Sequence, residues 1–274
     1  MKRWRLLPFE RLPASENMAV DEAVFLQSRD RISPPTLRFY AWLAPAVSIG
    51  YFQQIHRDID LAACRKRAVD IVRRPTGGKA VFHEQDLTYA VVGRERRDGF
   101  PSDILGTYRM ISRCLVRGLH ELGVNARMAQ DGRKRPEVPA AASCFSAPSR
   151  YELLVKGRKI CGSAQVRSQG AFLQHGSLLL DFDPLQTSEI LLPHHQDRDL
   201  QIAHLRKSVT SLAEQGVSFA QMEALCRIMK AGFEAELGIL LEEGVLTPDE
   251  KSLKGRLLRD KYTNDQWNLG YVTE

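Results

Sequence analysis

Asp70-Ile-Val-Arg-Arg-Pro-Thr-Gly-Gly-Lys-Ala-Val-Phe-His83 is the stretch from which the rest of the chain can be read. Ile71–Arg74 has the composition of a strand, Pro75–Gly78 has turn chemistry, and Ala80–His83 begins a second strand. Arg73 and Arg74 precede the Gly77-Gly78 turn and Lys79 follows it. Glycine lets a backbone approach a ligand closely, and exposed amides beside cations can hold a carboxylate, a phosphate or a thioester carbonyl. An ordinary hairpin with solvated charges fits the same residues equally well. A Walker A loop does not, because its spacing is absent.

Upstream, Ser15 is placed to cap a helix over Glu16–Ser28, which Pro34-Pro35 closes off. Thr36–Trp42 and Ala46–Tyr51 read as strands, and Asp60–Ala68 as a short helix. Downstream, Leu87–Val92 is a third strand. Thr107–Leu122 repeats Ile111, Leu115, Leu119 and Leu122 along one helical face, and Gly123 stops it. Pro136–Pro148 reads as a loop. Tyr151–Val155, Arg158–Arg167 and Ala171–Asp181 form a β-meander turned by Lys156-Gly157 and Ser168–Gly170. The remainder is mostly helical, with Phe219–Leu237 at helical spacing. These elements predict an α+β catalytic domain over residues 1–245 and a short helical tail over 246–274 packed on it.

The 274 residues are 43% hydrophobic and 26% charged, which excludes disorder, collagen and a disulfide scaffold. No apolar run approaches the ~18–20 residues that span a bilayer. Glu10 and Arg11 break up any signal-peptide core after Lys2-Arg3-Trp4-Arg5, so a soluble cytoplasmic protein with no membrane partner is expected. The net charge of +6 invites a nucleic-acid reading. However, the clusters Arg94–Arg97 and Arg133–Arg135 are short and lack interleaved aromatics, so no nucleic acid is expected. An acidic protein partner suits such a face better. Five cysteines with no C-x-x-C pair argue for reduced thiols and against a zinc ribbon.

Cys144 sits in a loop ahead of a strand, where a nucleophile can meet a substrate. Cys114 and Cys226 fall in helical patterns, and Cys64 lies beside Arg65, Lys66 and Arg67 as a partly covered surface thiol. Cys161, close to Lys159 in the meander, is a rival nucleophile. Lys159 points into a cleft or snorkels at a sheet edge. His83 and His175 fall in strands beside glycine-containing turns, and either line one site or are satisfied structural histidines. His194-His195 has no second pair at ligand spacing, so no metal is expected.

Arg73-Arg-Pro-Thr-Gly-Gly-Lys-Ala-Val-Phe-His83 with Asp86-Leu-Thr-Tyr89 resembles the signature of the biotin/lipoate protein ligase and transferase superfamily. Lys156-Gly-Arg-Lys-Ile-Cys-Gly-Ser-Ala-Gln165 with Gln174-His-Gly-Ser-Leu178 looks like its second signature. Ser143-Cys-Phe145, Ala147-Pro-Ser149 and Tyr151-Glu-Leu153 are similar to the cysteine-dependent octanoyltransferases of the LipM type, and Lys261-Tyr-Thr-Asn-Asp-Gln-Trp-Asn268 also fits. The resemblance implies the biotin/lipoate ligase catalytic fold, a mixed sheet flanked by helices as in class II synthetase cores. It implies octanoyl transfer from octanoyl-acyl carrier protein to a lipoyl-domain lysine, such as that of the glycine-cleavage H protein, and no cofactor, since a thioester donor is already activated. It makes Cys144 the acylated nucleophile and Lys159 the residue that lowers its pKa. Arg73, Arg74, Gly77, Gly78, His83, Gly162, Ser163, Ala164 and His175 become the substrate-binding set. Amides at Gly78–Lys79 or Gly162–Ser163 are candidate oxyanion donors. Val81, Leu87 and Leu178 are candidates for an apolar acyl tunnel. Ser146 and Arg150 depart from the family pattern, which often has an acidic residue and an aromatic there. The rival readings are an ATP-dependent lipoate–protein ligase, which needs no nucleophilic thiol, an amidotransferase moving octanoyl between lipoyl domains, and a non-catalytic reader of such domains.

Overall fold

The structure, a computed structural model, describes residues 1–30, 33–129, 151–191, 197–218 and 221–270. In chain order its elements are β1 (Lys2–Leu12), α1 (Ala14–Asp30), β2 (Thr36–Trp42), β3 (Ala46–Ile49), α2 (Ile55–Asp58), α3 (Leu61–Lys66), β4 (Asp70–Arg73), β5 (Val81–His83), β6 (Asp86–Arg94), α4 (Ile104–Glu121), β7 (Ala126–Met128), β8 (Leu153–Val155), β9 (Arg158–Ser168), β10 (Ala171–Leu179), α5 (Pro184–Leu191), α6 (Arg198–Ser208), α7 (Met222–Leu237), β11 (Ile239–Glu243), α8 (Pro248–Leu257) and α9 (Asp265–Leu269). The large sheet runs β11-β1-β2-β6-β10-β9-β8-β7, and the small one β4-β3-β5.

The meander is β8, β9 and β10, antiparallel throughout. Lys156 and Gly157 take φ of 51° and 82°, and Gln169 and Gly170 take 50° and 73°, the paired positive values that tight hairpins require. The three strands read around the Gly-Gly turn do not form one sheet. β4 and β5 flank β3 in the small sheet, while β6 crosses into the large one. β1 and β11 escaped the sequence reading because both carry too many charges to show a clean alternation, and their parallel pairing joins opposite ends of the chain. Burial of β1 is nonetheless real: Trp4 packs on Phe100 at 5.1 Å, and Arg5 is held by both oxygens of Glu250 at 2.7 Å.

One face of the large sheet carries Leu37, Phe39, Leu87, Tyr89 and Leu178 into a core shared with α4 and α7. The other carries Tyr40, Trp42, Ala90 and Leu173 against Met18, Val24 and Phe25 of α1. Helix α4 starts earlier than its apolar spacing implied, because the Asp103 side chain accepts from the Gly106 amide and caps it. Beyond β11, α8 lies against α1 through a Lys254–Glu16 ion pair at 2.7 Å, and Tyr262 donates to Glu22 at 2.7 Å. Among the described residues no helix is long and apolar enough to cross a membrane.

Candidate active site

The small sheet sits over the α1 face of the large one, and the space left between them is a cleft. Ser48, Val81 and His83 come from the small sheet, and Tyr40, Trp42, Thr88, His175 and Ser177 from the large one. Gly162, Ser163, Ala164 and Arg74 complete the expected residues that line it. The structure therefore brings together residues of both signature stretches. β10 pairs with β9 so that His175 stands opposite Ala164 and Ser177 opposite Gly162.

Both histidines are buried and bonded at each ring nitrogen. His83 Nε2 lies 2.8 Å from Ser48 Oγ and its Nδ1 lies 2.9 Å from Asp86 Oδ2, with the ring stacked on Trp42 at 4.0 Å. His175 Nε2 lies 2.7 Å from Thr76 Oγ1 and its Nδ1 3.1 Å from Asp21 Oδ2. Burial pushes the Asp21 carboxyl up, but bonds and charge from His175, Arg38 and Tyr40 outweigh it and hold the group below its ordinary value. Asp86 behaves alike: burial is overcome by His83, Ser177 and Thr88. Burial lowers the His175 pKa against the pull of Asp21, and Arg74 lowers it further.

The loop after β4 separates the roles of its residues. Gly78 adopts φ +93°, and a Cβ there would meet the Arg74 guanidinium at 2.9 Å. A Cβ at Gly50 would lie 1.9 Å from the Gly78 carbonyl, so the two backbones touch. Gly77 has open space around it. Arg74 spends its donors on Thr76 Oγ1, Ser48 O and Oγ, Gly77 O and Lys79 O. Arg73, expected among the substrate-binding residues, is fully buried. Its guanidinium donates to the carbonyls of Gly50, Tyr51 and Gln53 on one side and Trp267, Asn268 and Gly270 on the other. A guanidinium has five N–H donors, and here the protein takes them all. Arg73 therefore does not face the cleft. It fastens the C-terminal segment to the loop after β3.

The expected acyl tunnel also needs correction. Leu87 and Leu178 belong to the core beneath α4, on the far side of the sheet. Pleating turns their neighbours Thr88 and Ser177 to the cleft, and only Val81 of the three lines it.

Lys159 lies on β9, three residues before Gly162, or about 10 Å along the strand. It is 1% exposed, and its Nζ bonds Glu152 Oε1 at 2.5 Å. Cys144, Ser146, Arg150 and the pair His194-His195 lie outside the described residues. The described residues on either side of the Cys144 stretch, Ala129 and Tyr151, meet each other next to Glu152, the partner of Lys159. Ala129 N donates to Glu152 O at 2.8 Å, Tyr151 N donates to Ala129 O at 3.3 Å, and Leu154 pairs with Lys159.

The four remaining cysteines are poor nucleophiles. Burial raises the thiol of Cys64 to about 11 and those of Cys161 and Cys226 to about 12, and pushes Cys114 higher still. Sequence reasoning missed Asp21, Ser48, Thr76 and Glu152. Asp21 gave no local signal because it meets His175 across 154 positions. Asp86, three residues after His83, did carry one in its spacing.

Comparison with known proteins agrees with this geometry. The pattern of the lipoyl protein ligase A/B catalytic domain matches residues 13–234. A protein from Kyrpidia tusciae named octanoyltransferase LipM is 42% identical over 98% of this chain and 99% of its own. One of the same name from Symbiobacterium thermophilum is 44% identical over 97% and 98%. A solved structure of a bi-partite lipoate protein ligase from Thermoplasma acidophilum superposes with a TM-score of 0.84 at 27% identity, covering 100% of this chain and 99% of that one. The chain belongs to the lipoyl protein ligase A/B catalytic-domain family and, within it, to the LipM octanoyltransferases.

Proposed function

We propose that the chain transfers the octanoyl group of octanoyl-acyl carrier protein to a lysine of a lipoyl domain, that of the glycine-cleavage H protein or of an E2 subunit, in lipoate biosynthesis. The observation that carries this reading is the near-full-length identity to proteins named octanoyltransferase LipM. In the first step the Cys144 thiolate attacks the carbonyl carbon of the donor thioester; a new C–S bond forms and the carrier's thiolate leaves. In the second, the acceptor ε-amine attacks the acyl-enzyme. The amide C–N bond forms, the Cys144 C–S bond breaks, and the amine's proton goes to Lys159, which is neutral at this point because its ammonium gave a proton to the departing carrier thiolate in the first step. No nucleotide is needed, and reduced thiols suit the cytoplasm, where we place the reaction.

An ordinary thiol with a pKa near ~8.5 is only a few per cent thiolate at neutral pH. An ammonium that lowers that pKa by about one unit supplies ~1.36 kcal/mol. The buried Lys159 and the position of Ala129 and Tyr151, which flank the Cys144 stretch, beside its partner Glu152 support this pairing.

Intact-protein mass spectrometry after mixing with octanoyl-acyl carrier protein, without nucleotide, tests the reading. One octanoyl adduct is expected on the wild type and on Cys161→Ser, and none on Cys144→Ser. Lys159→Ala should raise by about one unit the pH at which iodoacetamide alkylates Cys144 rapidly. An adduct that survives Cys144→Ser refutes the nucleophile. Modification of the lipoyl domain with lipoate and ATP alone would make the chain a ligase, and activity only from an octanoylated lipoyl domain would make it an amidotransferase.

A further inference from the structure

Two chains of buried side chains run through the cleft wall and meet on one guanidinium. Ser48, His83 and Asp86 form the first, at 2.8 and 2.9 Å; Thr76, His175 and Asp21 form the second, at 2.7 and 3.1 Å. Arg74 donates to both hydroxyls, through Nε to Thr76 Oγ1 at 3.1 Å and through a terminal nitrogen to Ser48 Oγ at 3.3 Å.

Valence and charge place the hydrogens. An ionised carboxylate only accepts hydrogen bonds, so each Nδ1 that faces Asp21 or Asp86 carries a hydrogen. Each Nε2 faces a hydroxyl whose oxygen already accepts from Arg74. A hydrogen on Nε2 would make that oxygen accept twice and send its own hydrogen elsewhere. Among the described residues neither hydroxyl has a further acceptor within hydrogen-bond distance. The hydroxyl therefore donates into a bare Nε2. Charge agrees: Arg38 pairs with Asp21 at 2.8 Å, so Arg38 and Arg74 balance Asp21 and Asp86 only if both rings are neutral.

We propose that Arg74 is a positioning residue which, through the hydroxyls of Ser48 and Thr76, fixes both cleft histidines as neutral imidazoles with hydrogen on Nδ1. The groups facing His175 are Asp21 from α1, Thr76 and Arg74 from the loop after β4, and His83 from β5. Tyr40 from β2 shares the Asp21 carboxylate with it. His83 is faced by Ser48 from β3, Asp86 from β6, Ser177 from β10 and the Trp42 ring from β2. Of the groups around His175, burial and Arg74 disfavour its charged form and Asp21 favours it, so loss of Arg74 makes protonation easier. His175 keeps its neutral form through neutral pH, whichever acyl group the cleft receives, and a failure of the octanoyl-transfer reading would leave this inference standing.

The full chain labelled with ¹⁵N-histidine and followed by NMR against pH tests it, because a bare and a hydrogen-bearing ring nitrogen have widely separated shifts. His83 and His175 should show a bare, hydrogen-bonded Nε2 and a hydrogen on Nδ1. Arg74→Gln should move the Nε2 signals of both and raise the protonation midpoint of His175. Ser48→Ala should move His83 and leave the His175 pattern, and Thr76→Val should do the reverse. A hydrogen found on Nε2 in the wild type overturns the proposal. So does a folded Arg74→Gln with both signals and the His175 midpoint unmoved. If Arg74→Gln does not fold, the hydroxyl variants decide, and either one that leaves its own histidine unchanged overturns it.

Discussion

Replacing Arg73 with methionine separates two roles that the sequence leaves tied together. A ligand-binding arginine, once removed, costs affinity and leaves folding nearly intact. Arg73 in the structure instead makes five bonds of 3.0 Å or shorter to main-chain carbonyls on two segments. Methionine keeps much of the aliphatic stem and removes every donor. The Gly50 carbonyl is fully buried but keeps the Gln53 amide, so it loses one of two bonds, about 0.5 kcal/mol. The other four carbonyls are partly buried, and each loses about 0.5 kcal/mol on the lowest ordinary value for a net hydrogen bond. The total over the five bonds is about 2.5 kcal/mol, a large share of the ~5–15 kcal/mol that holds a domain folded. Urea unfolding followed by circular dichroism reads this as a fall in midpoint with little change in slope. Arg73→Lys should recover less than half, because one ammonium cannot fork between the two segments. A stability within about 1 kcal/mol of wild type, with carrier affinity lost, would refute the clamp and return Arg73 to the ligand.

Gly78→Val should disturb transfer far more than Gly77→Ala, since Gly78 combines positive φ with a close guanidinium and Gly77 has open space; octanoyl-transfer rates of the two folded variants compare them. The net charge of +6 should make affinity for an acidic carrier fall with salt, screened within ~8 Å at physiological strength, while saturated turnover changes little; a salt-independent apparent KM would contradict this. Asp21 and Asp86 titrate lower in the folded chain than in the unfolded one, so the folded state binds fewer protons and stability declines as pH falls below about 4. The loss of urea midpoint between about pH 7 and pH 3 should be smaller in Asp86→Asn than in wild type, and an equal loss would place the acid sensitivity elsewhere.

Local chemistry was legible in this sequence, and long-range partnership was not. The meander, its two left-handed turns and α4 follow from spacing within a few residues, and so does the nearness of His83 to Asp86. The purpose of Arg73 does not, because the acceptors that consume its guanidinium lie partly at Trp267, Asn268 and Gly270, nearly two hundred positions away. A strand's two faces also look alike until its neighbours are known: Leu87 and Thr88 differ by one position, yet one packs under α4 and the other lines the cleft. The paired arginines show why a motif can be read correctly for family and wrongly for role. Two guanidinia before a Gly-Gly turn look like anion receptors as long as their donors are counted as open. In the fold Arg73 fastens the C-terminal segment and Arg74 binds its own loop and two hydroxyls, so neither guanidinium offers an open donor to an anionic or carbonyl ligand. Without Arg74 the Gly-Gly loop loses the donor that meets the Gly77 and Lys79 carbonyls. The motif's two arginines therefore shape the loop, and Gly50 and Gly78 let its backbone approach the segment after β3.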